Sequence, residues 1–330
     1  MKTKRKEMII LEELSRAAEP LSGNELMQRI GQRGGDLSER TVRLYLQRFD
    51  EEGLTEARGR QGRVITDKGR SELRSGKLIS RVGSLSATID RMTYGMKFDL
   101  DKRVGSVVIN TAFVPIKAFR DRVKEVCEVF RQGYAMGTLV NLLGEGERIG
   151  DEEVPAGHVG FCTVCSVTLN GVLLKAGIPT RSVFSGLLEL EAGEATRFVE
   201  YISYDSTSID PLQLFIRSRM TDYSGAIRTG NGVIGAGFRE IPEQSYPEAV
   251  RIAKRVKDAG LGAFMTIGQP SRDLLNIPVR EGSCGVIVIG GLNPVAIFEE
   301  NGVPVTYNAL SGFMEYAELF PYTELAARLE

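Results

Sequence analysis

The sequence predicts two parts, a small N-terminal domain of helices with one β-hairpin and a larger α/β body that is internally duplicated. Three observations predict this division. Capped helical stripes fill residues 4–52, two short strands flank a Gly-rich turn at 54–66, and a Gly-rich stretch at 157–189 returns at 282–315. The chain has 330 residues, of which 42% are apolar and 26% charged. This length and composition suit two or three globular domains.

Residue usage argues against several kinds of protein. The chain has four cysteines and one histidine, His158. Four cysteines in a chain of this size suit a reducing compartment rather than a disulfide framework, and one histidine leaves little room for a metal site or a catalytic triad. No apolar run approaches the roughly 20 residues that a membrane span needs. We therefore expect a cytoplasmic protein with no metal, no cofactor and no membrane contact.

The net charge of −1 conceals an asymmetry along the chain. Residues 1–80 carry 17 Lys and Arg against 13 Asp and Glu, a net charge of +4. The remaining residues carry 25 against 30, a net charge of −5. A mildly basic N-terminal domain on an acidic body is weak support for contact with nucleic acid.

The N-terminal domain begins with three predicted helices. A helical apolar stripe covers residues 4–18. Ser22 caps a second helix at residues 24–30, with Glu25 three residues on as in a capping box. Ser38 caps a third helix that ends at Gly53. Three helices with a capped third member resemble a helix-turn-helix, whose recognition helix enters the major groove of DNA.

The third helix has an inward apolar stripe and an outward polar face. Val42, Leu46 and Phe49 form the stripe, and the polar residues occupy another face. On this face and at the helix start we expect DNA contacts, and the candidate residues are Ser38, Arg40, Thr41, Arg43 and Gln47.

A basic hairpin follows the third helix. Strands at 54–58 and 63–66 flank a Gly-rich turn, and Arg58, Arg60 and Arg63 lie near its tip. A hairpin in this place predicts a winged helix at residues 1–76, whose wing arginines contact phosphates or the minor groove. The alternative is a solvated loop in a winged-helix domain that binds protein.

Residues 77–100 carry apolar positions spaced alternately by four and three. This spacing is typical of a coiled-coil seam, although it covers fewer than three heptads. We expect a connector helix that helps a dimer form; the alternative is a helix packed on its own domain. The positions are Leu78, Val82, Leu85, Ile89, Met92 and Met96.

The body, residues 101–330, reads as two similar halves at about 101–200 and 228–330. Gly157, Gly160, Gly177 and Pro179 recur 125 residues later, and Pro115 and Gly133 recur 127 residues later. A match of this length indicates an internal duplication. Each half reads strand, helix, strand, turn, helix. Ligands of duplicated α/β units usually bind where the halves meet.

The two Gly-rich turns after the duplicated strands are the best candidates for a ligand site. They lie at residues 165–170 and 290–294, and each opens a helix, where unpaired N–H groups can bind an anion. No acid, base and nucleophile converge there, so we predict binding of a small anion rather than catalysis. The candidate residues are Cys165, Ser166, Thr168, Asn170, Gly290, Gly291 and Asn293.

Two other functions stay open at this point. Cys162 and Cys165 form a CxxC pair, so one alternative is a DNA-associated enzyme that uses a thiolate on a small metabolite. A further alternative is a structural adaptor, which would leave the duplicated Gly-rich turns unexplained.

Several motifs together resemble a known family. They are LSERTVRLYLQRFDEEGL in the third helix, EIPEQSYPEAV before a helix of the body, and GVIVIGGLNPVAIFEENGVPV in the duplicated turn. This combination resembles the NrpR-type archaeal nitrogen-regulatory repressors over nearly the whole chain. Some members of that family carry two tandem regulatory domains, and this chain resembles the form with one.

The resemblance implies a transcriptional repressor of nitrogen-assimilation genes that binds double-stranded operator DNA. It implies that 2-oxoglutarate, a dicarboxylate, relieves that binding. It also implies a homodimer or higher oligomer, and the single regulatory domain makes a second related regulatory chain a plausible partner.

Overall fold

The computed structural model describes residues 2–17, 19–33, 37–71, 73, 84–150, 152–262 and 264–329, with the backbone alone at 2–8, 60 and 84. The chain divides into two compact units, Met1–Val82 and Gly83–Glu330, here called unit 1 and unit 2. The helix that follows the boundary therefore belongs to the larger unit. Leu78 and Val82 of the predicted connector lie outside the described residues.

Unit 1 contains the three predicted helices, α1 (Lys2–Arg16), α2 (Gly23–Gln32) and α3 (Glu39–Glu51). The Ser22 hydroxyl accepts a hydrogen bond from Glu25 N, and the Glu25 carboxylate accepts one from Ser22 N. The predicted capping box is thus confirmed. Ser38 caps α3 by accepting from Thr41 N at 3.2 Å. Each cap satisfies N–H groups that a helix start leaves unpaired.

The predicted wing is a two-stranded antiparallel hairpin, β1 (Thr55–Ala57) and β2 (Arg63–Ile65). Leu21, between α1 and α2, forms an isolated antiparallel bridge with Arg63. Buried apolar side chains of the three helices, Leu21 and β2 form one cluster that includes Phe49 and Leu46 of α3. This is the winged-helix arrangement that the sequence predicts.

Unit 2 opens with α4 (Ser84–Gly95) and then contains two halves with the same element order. The first half has the elements β3 (Ser106–Pro115), α5 (Ile116–Arg131), β4 (Leu139–Leu143), a small hairpin of β5 (Arg148–Ile149) and β6 (Glu152–Glu153), β7 (His158–Val164), α6 (Val167–Lys175) and β8 (Arg181–Glu191). The linking segment has the elements β9 (Glu194–Ser203), α7 (Pro211–Arg217) and α8 (Tyr223–Thr229).

The second half repeats the order β-α-β-β-α-β. Its elements are β10 (Gly232–Pro242), α9 (Tyr246–Asp258), β11 (Phe264–Ile267), β12 (Ser283–Ile289), α10 (Ala296–Glu300) and β13 (Thr306–Glu315). After it come β14 (Phe320–Pro321) and α11 (Leu325–Arg328). The halves therefore match in fold as well as in glycine and proline spacing.

The two halves exchange their last helix and strand. One five-stranded sheet has the order β13-β3-β7-β4-β14, and the other has the order β11-β12-β10-β8-β9. Thus β8 of the first half pairs with β10 of the second, and β13 of the second half pairs with β3 of the first. The helices that precede these strands are exchanged as well. Helix α10 of the second half packs on α5 of the first half, and α6 of the first half packs on α9 of the second. The sequence reveals the repeat but not this exchange.

The stripe on α4 is buried inside unit 2. Leu85, Ile89, Met92 and Met96 are each 2–6% exposed and join one apolar cluster with α6, α9 and both sheets. The expectation of a dimer seam along these four residues is therefore wrong, and the alternative of a helix packed on its own domain is the one observed. Alternating four-three spacing is also what a short amphipathic helix needs to cover a core.

Candidate functional site

The outward face of α3 is the first candidate surface. Arg40, Arg43 and Gln47 are exposed, as predicted, and Arg43 is 72% exposed in its side chain. Intrahelical partners hold two of these residues: Arg43 pairs with Glu39 at 2.6 Å, and Gln47 reaches Glu51 at 3.5 Å. Exposed pairs of this kind contribute little to stability and exchange readily for another partner. The face can therefore bind an anion or a base edge.

The other side chains predicted to contact DNA differ in the interactions that they make within the protein. The Ser38 hydroxyl caps α3, and the Thr41 hydroxyl lies 2.8 Å from it. Arg58 is exposed at the wing and pairs with Glu56 at 3.1 Å. Arg63 is only 30% exposed, and its Nε donates to Asp50 of α3 at 2.7 Å. Arg63 therefore fixes the wing to α3, while the side chain of Arg60 lies outside the described residues.

The second candidate is the place where the chain passes between the sheets. The links β7–α6 and β12–α10 carry the exchanged helices across, and they run through Cys165–Ser166 and Gly290–Gly291. We call this place the crossing. A Cβ on Gly291 would lie 3.1 Å from Cys165 Cα and would collide with Val164 O and Asn110 Nδ2. Gly291 thus allows two backbone segments to approach each other.

Equivalent hydrogen bonds anchor both links. Cys165 N donates to Val108 O at 2.8 Å, and Gly290 N donates to Gly235 O at 3.0 Å. Val108 and Gly235 are 127 residues apart, the offset of the duplication. The crossing is therefore built by two copies of one motif.

Three of the predicted effector ligands make hydrogen bonds within the protein. Thr168 Oγ1 bonds the backbone of Val108 at 3.1 Å, and Asn293 Nδ2 donates to Tyr134 O and Gly235 O at 2.8 and 2.9 Å. Asn170 Nδ2 donates to Ser182 Oγ at 3.0 Å. All three side chains are buried, and the Oδ1 atoms of Asn170 and Asn293 have no hydrogen-bond partner among the described residues. Of the predicted set, Cys165, Ser166, Gly290 and Gly291 remain at the crossing.

Arg239 reaches the crossing from β10. Arg239 is 2% exposed. Its Nη1 donates to the carbonyl oxygen of Ser166 and its Nη2 donates to Ser166 Oγ, both at 2.9 Å. Among the described residues no Asp or Glu pairs with Arg239, and its Nε has no hydrogen-bond partner. Burial lowers the pKa of its guanidinium. A buried cation without a counter-ion is costly in the free protein and suits an anionic ligand.

Two spaces lie at or beside the crossing, and Ser166 lines the smaller one. A cavity of about 20 Å³ at the crossing is lined by Asn110, Cys165, Ser166, Ser185, Tyr204 and Asp210. This volume holds about one water molecule. An open groove of about 430 Å³ adjoins it, and its wall includes Leu85, Thr88, Asp210, Gln213, Arg217 and Asn308. Asp210 and Ala309 line both spaces.

Arg239 is one of several arginines in the body, which also include Arg181, Arg217, Arg219 and Arg228. The others are used or exposed: Arg181 pairs with buried Glu240 at 3.2 Å, and Arg217 lies over the Tyr307 ring at 5.4 Å. The signal in the sequence is the position of Arg239, since it stands in a strand that is otherwise buried and mostly apolar. Tyr204, Asp210 and Asn110 carry no comparable signal.

The cysteines do not support thiolate chemistry. Both Cys162 and Cys165 are buried, and burial raises the pKa of each thiol to about 12. A nucleophilic thiolate would be very scarce near neutral pH. In the part of the chain that the structure describes, no cluster of three potential metal ligands occurs and no helix is long and apolar enough to span a membrane.

Comparison with known proteins agrees with both units. The model of the NrpR regulatory domains NRD1 and 2 matches residues 82–321, and the model of the ribonuclease R winged-helix domain matches residues 8–73. A crystal structure of a nitrogen repressor-like protein from Methanococcus jannaschii superposes with a TM-score of 0.61 and 25% sequence identity. It covers 73% of this chain, and 98% of that protein is matched.

Three relatives are named global nitrogen regulators. NrpRI of Methanosarcina mazei is 31% identical over 94% of this chain and 96% of its own length. NrpR of Methanococcus maripaludis and of Methanocaldococcus jannaschii are 31% and 32% identical, and in both cases the match spans 54% of the relative. The resemblance seen in the sequence motifs is confirmed. The chain belongs to the NrpR family of global nitrogen regulators, with a winged-helix domain before its NrpR regulatory domain.

Proposed function

We propose that this chain is a repressor that binds operator DNA of nitrogen-assimilation genes and that 2-oxoglutarate relieves this binding. The outward face of α3 supports the first half of the proposal, because two arginines and a glutamine stand exposed on the recognition helix of a winged-helix fold. Arginine and glutamine are the side chains that read guanine and adenine in the major groove. The names of the relatives support a regulatory role rather than a catalytic one.

The observation that carries the effector proposal is Arg239. 2-Oxoglutarate has two carboxylates and a keto oxygen, and a guanidinium pairs with a carboxylate through two parallel hydrogen bonds. Arg239 presents its fork at Ser166, buried and without a carboxylate partner among the described residues. One ligand carboxylate would take the place of the Ser166 contacts.

The ligand also has to open the crossing. A cavity of about 20 Å³ is too small for a five-carbon dicarboxylate, while the adjoining groove of about 430 Å³ has room for it. We therefore place the ligand in the groove, with one carboxylate entering the crossing beside Asp210. Only a conformation with the two links moved apart would accept it, and the ligand would shift the population toward that conformation.

A direct route leads from the crossing to α4. Tyr204 lines the cavity, and the next residue, Asp205, accepts a hydrogen bond from Ser86 of α4 at 2.9 Å. Leu85 and Thr88 of α4 also line the groove. In sequence α4 is the first helix of unit 2 after the winged helix. A shift of α4 would change how winged helices are presented to two half-sites, and coupling of about 1–3 kcal/mol changes affinity roughly 5- to 150-fold.

The active form is proposed to be a homodimer or higher oligomer, with a second related regulatory chain as a further partner. Two relatives are nearly twice as long as the matched region, which supports a requirement for more than one regulatory domain per assembly. Sedimentation of the purified chain, alone and on DNA, measures the stoichiometry. A monomer bound to operator would contradict this part of the proposal.

Operator binding is tested with a duplex that the wild-type chain selects from a randomised library. Arg43→Ala should weaken binding to this duplex about tenfold, the size of one lost base contact, and leave binding to unrelated DNA within about twofold. Arg251→Ala is the matched control, since Arg251 is 71% exposed and pairs with Glu248 on a helix of unit 2. Equal affinity of wild type and Arg43→Ala for the selected duplex would overturn the assignment of α3.

Effector binding is tested by calorimetry with 2-oxoglutarate, and with glutarate as the analogue that lacks the keto oxygen. Arg239→Met should abolish measurable binding and give a protein that stays on the operator when 2-oxoglutarate is added. Arg228→Met is the control, because Arg228 lies on α8 and bonds only the Ser224 carbonyl among the described contacts. If Arg239→Met binds 2-oxoglutarate as wild type does, the site is wrong. If wild type binds none, the effector is wrong.

A further inference from the structure

One side chain on α3 does not fit a surface built for phosphates alone. Leu44 is 67% exposed and, among the described side chains of unit 1, is the only large hydrophobic residue so exposed. It stands two residues from Val42 and two from Leu46, both fully buried. At about 100° per residue it points about 160–200° away from each of them. Leu44 is therefore at the centre of the outward face.

The neighbours of Leu44 are the polar residues of the same face. Arg40 and Gln47 are four residues before and three residues after it, and Arg43 precedes it directly. Exposure leaves about two thirds of an apolar side chain in water, so burial against a partner would be favourable. Base edges in the major groove offer hydrogen-bonding atoms to Arg and Gln, and one apolar group, the C5 methyl of thymine.

We propose that Leu44 reads a thymine in the operator by packing on its C5 methyl group. This inference rests on the proposed binding of operator DNA by α3 and adds the base that the face selects. The position of Leu44 between an arginine and a glutamine places apolar and hydrogen-bonding readers on successive turns of one helix. Leu44 thus acts as a specificity residue and contributes nothing to phosphate binding.

The size of the effect follows from the methyl group. Burial of one CH₂-sized apolar group is worth about 0.8 kcal/mol, which corresponds to about fourfold in affinity. Replacement of the thymine by deoxyuridine removes only the methyl and keeps the base pair. Loss of the methyl group should therefore weaken operator binding by the wild-type chain about fourfold for each thymine contacted.

The experiment is a methyl-deletion cycle on the full-length chain. The duplex selected by wild type from a randomised library is synthesised with each thymine in turn replaced by deoxyuridine, and affinities are measured by fluorescence anisotropy. Wild type should lose about fourfold at one thymine of each half-site. Leu44→Ala should bind the thymine and deoxyuridine duplexes alike, with an unchanged salt dependence. Leu44→Met should keep the preference, and Leu174→Ala, at a leucine exposed in unit 2, should behave as wild type.

The outcomes separate the role of Leu44 from operator binding itself. If wild type and Leu44→Ala lose the same affinity on loss of a methyl, or no methyl matters to wild type, the assignment to Leu44 is overturned while operator binding stands. If wild type selects no duplex from the library, operator binding itself fails. Circular dichroism shows whether Leu44→Ala is folded, and unfolding of that variant would move the comparison to Leu44→Met and Leu44→Gln, which must then differ in methyl preference.

Discussion

Arg239 and Asp210, two residues at the crossing, should have opposite effects on the binding of a dicarboxylate. Arg239 is buried without a carboxylate partner among the described residues, and burial raises the pKa of Asp210, which caps α7 by accepting from Leu212 N at 2.9 Å. One residue would attract a dicarboxylate and the other would repel it. Groups with such shifted pKa values are common at functional sites.

Asp210→Asn should raise the thermal stability at neutral pH and tighten binding of 2-oxoglutarate. Asparagine caps a helix as well as aspartate does, so the change removes charge and keeps the cap. The folded-state pKa of Asp210 lies above the ordinary 3.8, so its contribution to stability is full below pH 3.8 and is lost as the pH rises through the folded pKa. The difference in Tm between variant and wild type should thus appear at pH 7 and vanish towards pH 3.8.

Differential scanning fluorimetry between pH 3.5 and pH 8 and calorimetry at pH 7 measure both effects. Gln213→Glu, which places a charge elsewhere on the wall of the groove, should weaken binding of the ligand and serves as the opposite control. Unchanged affinity in Asp210→Asn would place the ligand away from the crossing.

Among the elements, α4 is the one whose observed role differs most from the predicted one. Its apolar residues cover the core of unit 2, and one polar residue, Ser86, reaches the segment beside the cavity. The helix therefore connects the core, the crossing and the start of unit 2. In the proposed mechanism α4 transmits the change of conformation without lying in a dimer seam.

Ile89→Ala should destabilise unit 2 and leave the oligomeric state unchanged. Ile89 is 4% exposed, and loss of a buried isoleucine side chain to alanine costs about 2–5 kcal/mol. For a domain of this size the Tm of unit 2 should fall by roughly 2–4 °C for each kcal/mol. Calorimetry and sedimentation check the two statements.

Arg91→Ala, on the exposed face of the same helix, is the control and should change neither quantity. A lower oligomer with an unchanged Tm in Ile89→Ala would restore the dimer seam that the apolar spacing alone suggests.

At the scale of the molecule, the exchange of α6–β8 and α10–β13 makes the two halves one folding unit. Each sheet needs a strand from the other half, and both large apolar clusters draw residues from both sheets. Neither half can complete its sheet alone. The proposed ligand at the crossing would act where the two links pass each other and would change the relation of the halves.

Unit 2 should unfold in one cooperative transition, whichever half is altered. Ile252→Ala in α9 of the second half and Val126→Ala in α5 of the first, both buried, should lower the same calorimetric transition, each by about 1–5 kcal/mol. Hydrogen exchange should lose protection in both halves of either variant. The control is Phe49→Ala in unit 1, which should spare that transition. Separate transitions for the two halves would contradict the coupling that the exchange implies.

The sequence by itself determined the local structure of this protein. Caps such as Ser22 and Ser38, the wing hairpin and the positions of the repeated glycines follow from short-range chemistry, in which a side chain satisfies its own neighbouring backbone. The buried stripe of α3 and its outward arginines follow from the helical period. The winged helix and the duplicated body were predictable for this reason.

Only the tertiary structure decided what the repeated turns do and which residues meet there. Arg239 and Ser166 are 73 residues apart in sequence and meet because the halves exchange strands. Thr168 and Asn293 look like free donors in the sequence, yet they bond backbone far along the chain. The spacing of the apolar residues on α4 fits a dimer seam and a buried core face equally well. Sequence periodicity states which face of an element is apolar, while the partner of that face depends on contacts between distant parts of the chain, which local pattern does not encode.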